Sequence, residues 1–100
     1  MIYRSYGKTG RQISAIGFGG MRFPEPEQIG KNADLVLYAH EKGITYFDTA
    51  PFYCQDKSEE IIGTALRQMK PGTFYVSTKC GSLDGKELRV SLERSLERLG

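Results

Sequence analysis

Short β-branched and aromatic segments alternate with longer amphipathic segments, and this alternation constrains the fold more than any other feature. Strand-like stretches occupy residues 16–20, 44–47 and 74–78, and a polar hairpin with a glycine-bounded turn at residues 7–10 precedes them. Helical periodicity covers residues 27–42 and begins again near residues 56 and 84. Strands that alternate with helices form right-handed βαβ units and a parallel sheet. Two architectures remain open, a (β/α)8 barrel and a doubly wound open sheet.

Composition excludes several classes of protein. One hundred residues allow one domain at most, and 39% hydrophobic with 26% charged residues is ordinary for a globular chain. The net charge is only +2, and the basic residues are interleaved with acidic ones. We therefore expect neither a nucleic-acid nor a membrane partner. Cys54 and Cys80 lack the spacing of a disulfide framework or a zinc site, so we expect no metal and a reducing cytoplasm.

Helix boundaries can be predicted from capping residues. Gly43 should end the first helix at its C′ position, and Asp56 should cap the second by accepting from the Glu59 N–H. Asp84 should cap the third helix. That helix carries a leucine stripe on one face, formed by Leu88, Leu92, Leu96 and Leu99.

Two of the predicted strands end in charged residues. Asp48 closes the second strand, Lys79 closes the third, and Tyr53 follows in the loop after Asp48. Because the carboxyl ends of parallel strands share one rim, we expect these three side chains to meet there. Lys79 and Ser77 lie on the same face of the third strand, since side chains alternate along a strand.

Such a trio has a physical use. An ordinary tyrosine has a pKa of about 10, too high for an efficient acid at neutral pH. A neighbouring ammonium favours the phenolate, and a carboxylate holds the ammonium charged and oriented. Tyr53 would then be a general acid for a carbonyl oxygen, with Lys79 tuning it and Asp48 anchoring Lys79. The alternative is an ordinary salt bridge between Lys79 and Asp48, with Tyr53 a loop aromatic.

Several motifs together resemble the aldo-keto reductase family. They are GITYFDTAPFY at 43–53, SEEIIG at 58–63, STK at 77–79, LERSLERLG at 92–100 and the GFGG of residues 17–20. The resemblance implies a (β/α)8 TIM barrel, of which residues 1–100 would be the N-terminal hairpin and the first three β/α units of a single, incomplete domain. It also implies reduction of an aldehyde or ketone with NADPH, or with NADH. The longer wording GFGGMRFP at 17–24 is similar to family members with a C-terminal iron–sulfur domain.

The resemblance also implies site residues. Asp48, Tyr53 and Lys79 would be three members of a catalytic tetrad, and the fourth, a histidine, should lie beyond Gly100. The cofactor would contact Gly20 and Met21 together with Asp48 and Lys79. The alternative for Gly20 is a glycine that only turns the chain. Residues 17–20 are not a Rossmann phosphate loop, because prolines rather than a helix follow them.

The chain departs from the family pattern after its tyrosine, where glycine is common and Cys54 stands instead. We therefore expect a loop of different shape, with Cys54 an exposed thiol. His40 falls on the apolar face of the first helix, so we interpret it as a packed residue rather than a catalytic one.

Two other interpretations concern the whole protein. A non-catalytic NADPH-binding or regulatory protein could use the same fold, since fold does not fix function. Three strands also cannot close a barrel that needs eight. We therefore expect residues 1–100 alone to lack reductase activity and to associate through open sheet edges or with further strands.

Overall fold

The computed structural model describes residues 1–81 and 84–100. Its elements in chain order are β1 (Tyr3–Ser5), β2 (Gln12–Ser14), β3 (Phe18–Gly19), α1 (Ile29–Glu41), β4 (Tyr46–Asp48), α2 (Ser58–Leu66), β5 (Tyr75–Ser77) and α3 (Gly85–Leu99). The predicted alternation is confirmed, and each strand is shorter than its sequence pattern.

The strands form two sheets. β1 and β2 pair antiparallel as the predicted hairpin. β3, β4 and β5 form a parallel sheet in that order, with Gly19 beside Asp48 and Asp48 beside Ser77. The carboxyl ends of the three parallel strands therefore lie in one row, and the side chains that follow them share one rim.

The core lies between the parallel sheet and the first two helices. Phe47 of β4, Val36 of α1, and Ile61 and Ile62 of α2 are fully buried in one cluster. Each such side chain contributes roughly 1.5–3 kcal/mol when it leaves water. This cluster fixes the position of β4, and therefore of Asp48 at its end.

Helices α2 and α3 approach each other closely at Gly63. A Cβ atom at this position would lie 1.9 Å from the carbonyl oxygen of Arg98. No L side chain fits that space, so glycine is required for the contact. The contact joins the last turn of α3 to the middle of α2.

Two of the three predicted caps are confirmed. Gly43 follows α1 with φ +104°, and its N–H donates to the His40 carbonyl. The Asp84 carboxylate accepts from the Lys86 N–H at 2.7 Å. The Asp56 cap is wrong, because Asp56 has φ +67° and α2 begins at Ser58 without a side-chain cap.

The leucine stripe of α3 is mostly exposed. Leu88, Leu92 and Leu96 are about half exposed, whereas Leu99 is buried. Leu96 and Leu99 line a 450 Å³ cavity with Phe74 and Val76, so α3 does not pack tightly on β5. Within residues 1–81 and 84–100, no helix is long and apolar enough to cross a membrane.

Candidate active site

The structure brings Asp48, Tyr53 and Lys79 together at the rim. The Lys79 Nζ atom donates to Asp48 Oδ2 at 2.6 Å and to the Thr49 carbonyl at 3.0 Å. The same nitrogen lies 4.8 Å from the centroid of the Tyr53 ring. Lys79 therefore lies between a carboxylate and a phenol, in the arrangement expected from the strand ends.

Strand register and a closed loop produce this arrangement. Asp48 ends β4 opposite Ser77, and Lys79 follows Ser77 by two residues on the same face of the chain. The backbone N–H and the backbone carbonyl of Tyr53 are both hydrogen-bonded. Its N–H donates to the Ala50 carbonyl at 3.3 Å, and its carbonyl accepts from the Ser58 N–H at 3.2 Å.

Ser77 is a site residue to which the sequence interpretation assigned no role. Its hydroxyl donates to Asp48 Oδ1 at 2.5 Å, while Lys79 occupies Oδ2. Each carboxylate oxygen thus has its own donor, which fixes the plane of the carboxylate. The role of Ser77 could have been found from two features of the sequence, the shared face of Ser77 and Lys79 and the expected pairing of the strand ends.

The electrostatics of the pair favour both charged forms. Partial burial alone would raise the pKa of Asp48, but hydrogen bonds from Lys79 and Ser77 and the lysine charge hold it below its ordinary value. Partial burial would lower the pKa of Lys79, but Asp48 and the Tyr53 hydroxyl raise it above its ordinary value. Both side chains are 40% exposed, so the rim is open to a ligand.

Gly20 packs against the base of this site. Its N–H donates to the Asp48 carbonyl at 2.7 Å, and its carbonyl accepts from the Ser58 hydroxyl at 2.6 Å. A Cβ atom at Gly20 would lie 2.7 Å from Ser58 Oγ. A structural requirement therefore explains the glycine, while the neighbouring Met21 side chain is 54% exposed.

A buried carboxylate supports the rim from below. Glu59 is fully buried, and its Oε1 atom accepts from Arg98 Nη2 at 2.7 Å and Nε at 3.0 Å. Its Oε2 atom accepts from the Thr78 hydroxyl at 2.8 Å, next to Lys79 in sequence. The prediction of a capping box at Glu59 missed this role, because the carboxylate binds Arg98, which is 39 residues away in the sequence.

Cys54 is not the exposed thiol that the sequence suggested. It is half-buried, and its sulfur accepts from the Phe23 N–H at 3.3 Å. The thiol also lies 3.2 Å from the Met21 carbonyl oxygen. The chain turns sharply after Tyr53, because residues 54–56 all have left-handed backbones, and this turn directs the thiol inward.

His40 lies away from the rim. It is half-buried on α1, and its Nε2 atom is 3.2 Å from the Thr73 carbonyl oxygen, which precedes β5. Asp48 and Lys79 stand at the opposite ends of the strands. His40 is therefore a packed helix residue. Among the described residues, no group of three or more His, Cys, Asp or Glu side chains could hold a metal ion.

The fold and the rim together define a family. The family model described as "Aldo/keto reductase family" matches residues 15–100, and the chain belongs to this family. The α/β arrangement matches aldo-keto reductase (β/α)8 barrels over part of their length, which confirms the barrel expectation and excludes the doubly wound sheet.

Two curated relatives show how much of a family member this chain matches. It is 35% identical to L-galactose dehydrogenase from Arabidopsis thaliana over 96% of this chain and 34% of that enzyme. It is 37% identical to pyridoxal 4-dehydrogenase from Microbacterium luteolum over 80% of this chain and 24% of that enzyme. The chain thus spans about a third or less of the length of these relatives.

Solved structures give the same result. A thermostable aldo-keto reductase in complex with the inhibitor epalrestat matches 99% of this chain and 39% of its own, with a TM-score of 0.85 and 31% identity. An aldo/keto reductase from Klebsiella pneumoniae in complex with NADP and acetate matches 88% of this chain and 32% of its own, with a TM-score of 0.74 and 26% identity.

Proposed function

We propose that this chain forms part of the active site of an oxidoreductase that reduces an aldehyde or ketone with NADPH or NADH. The observation that carries the proposal is the position of Lys79 Nζ, 2.6 Å from Asp48 Oδ2 and 4.8 Å from the centroid of the Tyr53 ring. A surface ion pair has no need of a tyrosine ring beside it. Membership of a family of oxidoreductases supports this assignment.

Each of the three groups has a distinct role in this proposal. Tyr53 is the general acid, which donates its phenolic proton to the carbonyl oxygen of the substrate. Lys79 stabilises the phenolate that remains, because its ammonium lies beside the ring. Asp48 holds Lys79 charged and aimed, and Ser77 holds Asp48. The bound nicotinamide cofactor would supply the hydride.

The residues at the rim suit a nicotinamide cofactor. Met21 offers an exposed thioether on the segment that follows β3, on which a flat aromatic ring could rest. Asp48 and Lys79 remain 40% exposed and can hydrogen-bond to a polar ring substituent. In this proposal Gly20 contributes by bringing the chain close to Asp48. The NADP complex of the Klebsiella relative supports the assignment of the cofactor.

The complete site requires more than these residues. We propose that residues 1–100 act as the N-terminal hairpin and the first three β/α units of one barrel domain, which barrels of this class complete in about 250 residues. The fourth tetrad member, a histidine, would come from a later strand. The whole protein would work in the cytoplasm on a small carbonyl compound. Residues 1–100 alone would be inactive and would associate through exposed sheet edges and the α3 leucines.

One comparison favours a second candidate function. The chain is 28% identical, over 79% of its length, to a probable voltage-gated potassium channel subunit beta from Arabidopsis thaliana, of which it covers 25%. A regulatory protein that binds NADPH without turnover would use the same fold. Such a protein would bind the cofactor but reduce no carbonyl compound.

The test is Tyr53→Phe in the full-length protein that carries this sequence. We expect kcat for a reactive aldehyde to fall about 10²–10⁴-fold, the usual contribution of a general acid. The dissociation constant of NADPH should change little, since only the hydroxyl is removed. Tyr38→Phe is the matched control, because Tyr38 is exposed on α1.

The two candidate functions give different results in this experiment. Loss of turnover in Tyr53→Phe with normal cofactor binding supports the reductase. A Phe variant that keeps more than about a tenth of the original kcat contradicts the acid role. A wild-type protein that binds NADPH and reduces none of a panel of aldehydes and ketones favours the regulatory candidate.

A further inference from the structure

Three consecutive residues after Tyr53 have left-handed backbones. The φ angles are +55° at Cys54, +56° at Gln55 and +67° at Asp56, and none of these residues is glycine. An L residue in this region brings its Cβ too close to its own carbonyl, so the conformation is costly. Such a conformation persists only where surrounding contacts enforce it.

The Cys54 thiol makes the contacts that could enforce this turn. Its sulfur accepts from the Phe23 N–H at 3.3 Å and lies 3.2 Å from the Met21 carbonyl, to which it can donate. The Gly20 carbonyl is 3.7 Å away. All three partners belong to the segment that follows β3. One side chain thus joins the Tyr53 loop to a second loop of the rim.

The thiol contacts close a ring with a link at the other end of the Tyr53 loop. The Ser58 hydroxyl donates to the Gly20 carbonyl at 2.6 Å, and the Ser58 N–H donates to the Tyr53 carbonyl. Tyr53 is therefore tied to the same segment in two ways, through Cys54, which follows it directly, and through the hydrogen bond that its carbonyl accepts from Ser58. The Ser58 attachment is fully buried, whereas the thiol lies directly beside Tyr53 in sequence.

We propose that Cys54 is a positioning residue, whose thiol clamps the Tyr53 loop to residues 20–23 and thereby holds the Tyr53 ring beside Lys79. This inference depends on the proposed role of Tyr53. The thiol itself takes no part in proton or hydride transfer. Without the clamp, the turn relaxes and the hydroxyl of Tyr53 moves from its reacting position, although Asp48 and Lys79 stay paired.

The consequence is a specific loss of rate. Misplacing a reacting group by about 1 Å can lower a rate about 10²-fold. The Ser58 link remains when the thiol is removed, so we expect a smaller loss of about tenfold in kcat. The affinity for NADPH should change less, because the Gly20 N–H bond to Asp48 still holds the segment after β3.

Glycine substitutions separate the thiol from the backbone. Cys54→Gly removes the sulfur and relieves the left-handed strain, so it should remain folded. Gln55→Gly is the matched control, because it relieves the same kind of backbone strain at a neighbouring exposed residue with nearly the same φ. Cys54→Ser restores a donor and an acceptor on a shorter side chain and should recover part of the loss.

Two readouts are made on the full-length protein and each variant. Hydrogen exchange of the Phe23 amide, measured by NMR, reports the clamp directly because this N–H donates to the sulfur. Steady-state kcat and the primary isotope effect with deuterated NADPH report the chemical step. A merely structural role would lower the melting temperature without raising the isotope effect, since every molecule still folded would react normally.

The inference is supported if Cys54→Gly speeds Phe23 exchange, lowers kcat about tenfold and raises the isotope effect, while Gln55→Gly resembles wild type. Intermediate values for Cys54→Ser also support it. It is overturned if Cys54→Gly keeps the wild-type kcat, whatever the exchange rate, or if Gln55→Gly loses as much rate. Failure of the proposed function would appear instead in the wild-type protein, as the absence of any carbonyl turnover.

Discussion

Replacement of Arg98 by leucine should strongly destabilise the protein, because it leaves a buried charge without its partner. Glu59 is fully buried, and two of the three hydrogen bonds found on its carboxylate come from Arg98. Removing one member of a buried ion pair costs about 3–5 kcal/mol. The Arg98 side chain is 34% exposed, so some water can reach the site, and we expect about 3 kcal/mol.

That loss is a substantial fraction of the total stability of a domain, which is about 5–15 kcal/mol. Urea denaturation followed by circular dichroism would measure it. The matched control is Lys31→Leu, which breaks an ion pair whose side chains are 72% and 57% exposed. Exposed pairs contribute about 0–1 kcal/mol. The control variant should therefore unfold at nearly the wild-type urea concentration.

A second substitution identifies the origin of the loss. Glu59→Gln removes the buried charge but keeps an acceptor for the Thr78 hydroxyl. The double variant Arg98→Leu with Glu59→Gln should be more stable than Arg98→Leu alone, because the unpaired charge is gone. The reasoning is refuted if Arg98→Leu costs no more than Lys31→Leu, or if the double variant is no more stable than Arg98→Leu.

Three further predictions concern the rim and the helix contact. Lys79→Met should abolish most carbonyl reduction or raise the apparent pKa of the pH–rate profile, whereas an unchanged rate and profile would place Lys79 outside the site. The pKa of Asp48 lies below its ordinary value, so its contribution to stability is present above about pH 3.9 and is lost as pH falls through the lowered value. The difference in unfolding free energy between wild type and Asp48→Asn should therefore shrink in acid, and a constant difference from neutral pH down to full protonation would contradict the ion pair. Gly63→Ala should cost about 1–3 kcal/mol or more, because the new methyl group would meet the Arg98 carbonyl, while Gly30→Ala on α1 has open space and should not destabilise.

The meeting of Asp48 and Lys79 could be predicted from the sequence because it depends on strand order, whereas the position of Tyr53 also depends on its loop hydrogen bonds to Ala50 and Ser58. Two parallel strands that end in charged residues bring those residues to one rim, whatever the details of packing. The role of Ser77 needed one further fact, its pairing with Asp48 across the sheet. That register follows from the packed core and is not written in either strand by itself.

The environments of Glu59 and Cys54 could not be predicted in the same way. Local spacing suggested that Glu59 belongs to a capping box, but the left-handed backbone of Asp56 removes the cap. The carboxylate instead meets Arg98, 39 residues away. Residues with positive φ are uncommon outside glycine, so a sequence pattern gives no reason to expect three in succession.

The parallel register also determines where this sequence tolerates insertions. The turns at residues 7–10 and 70–73 lie outside the paired strands. Extra residues there would lengthen a loop and leave the pairing of Asp48 with Ser77 intact. One residue inserted between Ser77 and Lys79 would instead turn the ammonium to the opposite face of the chain, because side chains alternate along an extended strand. Gene variants or engineered fusions that extend those turns should therefore keep the rim, whereas a single added codon between Ser77 and Lys79 should remove it.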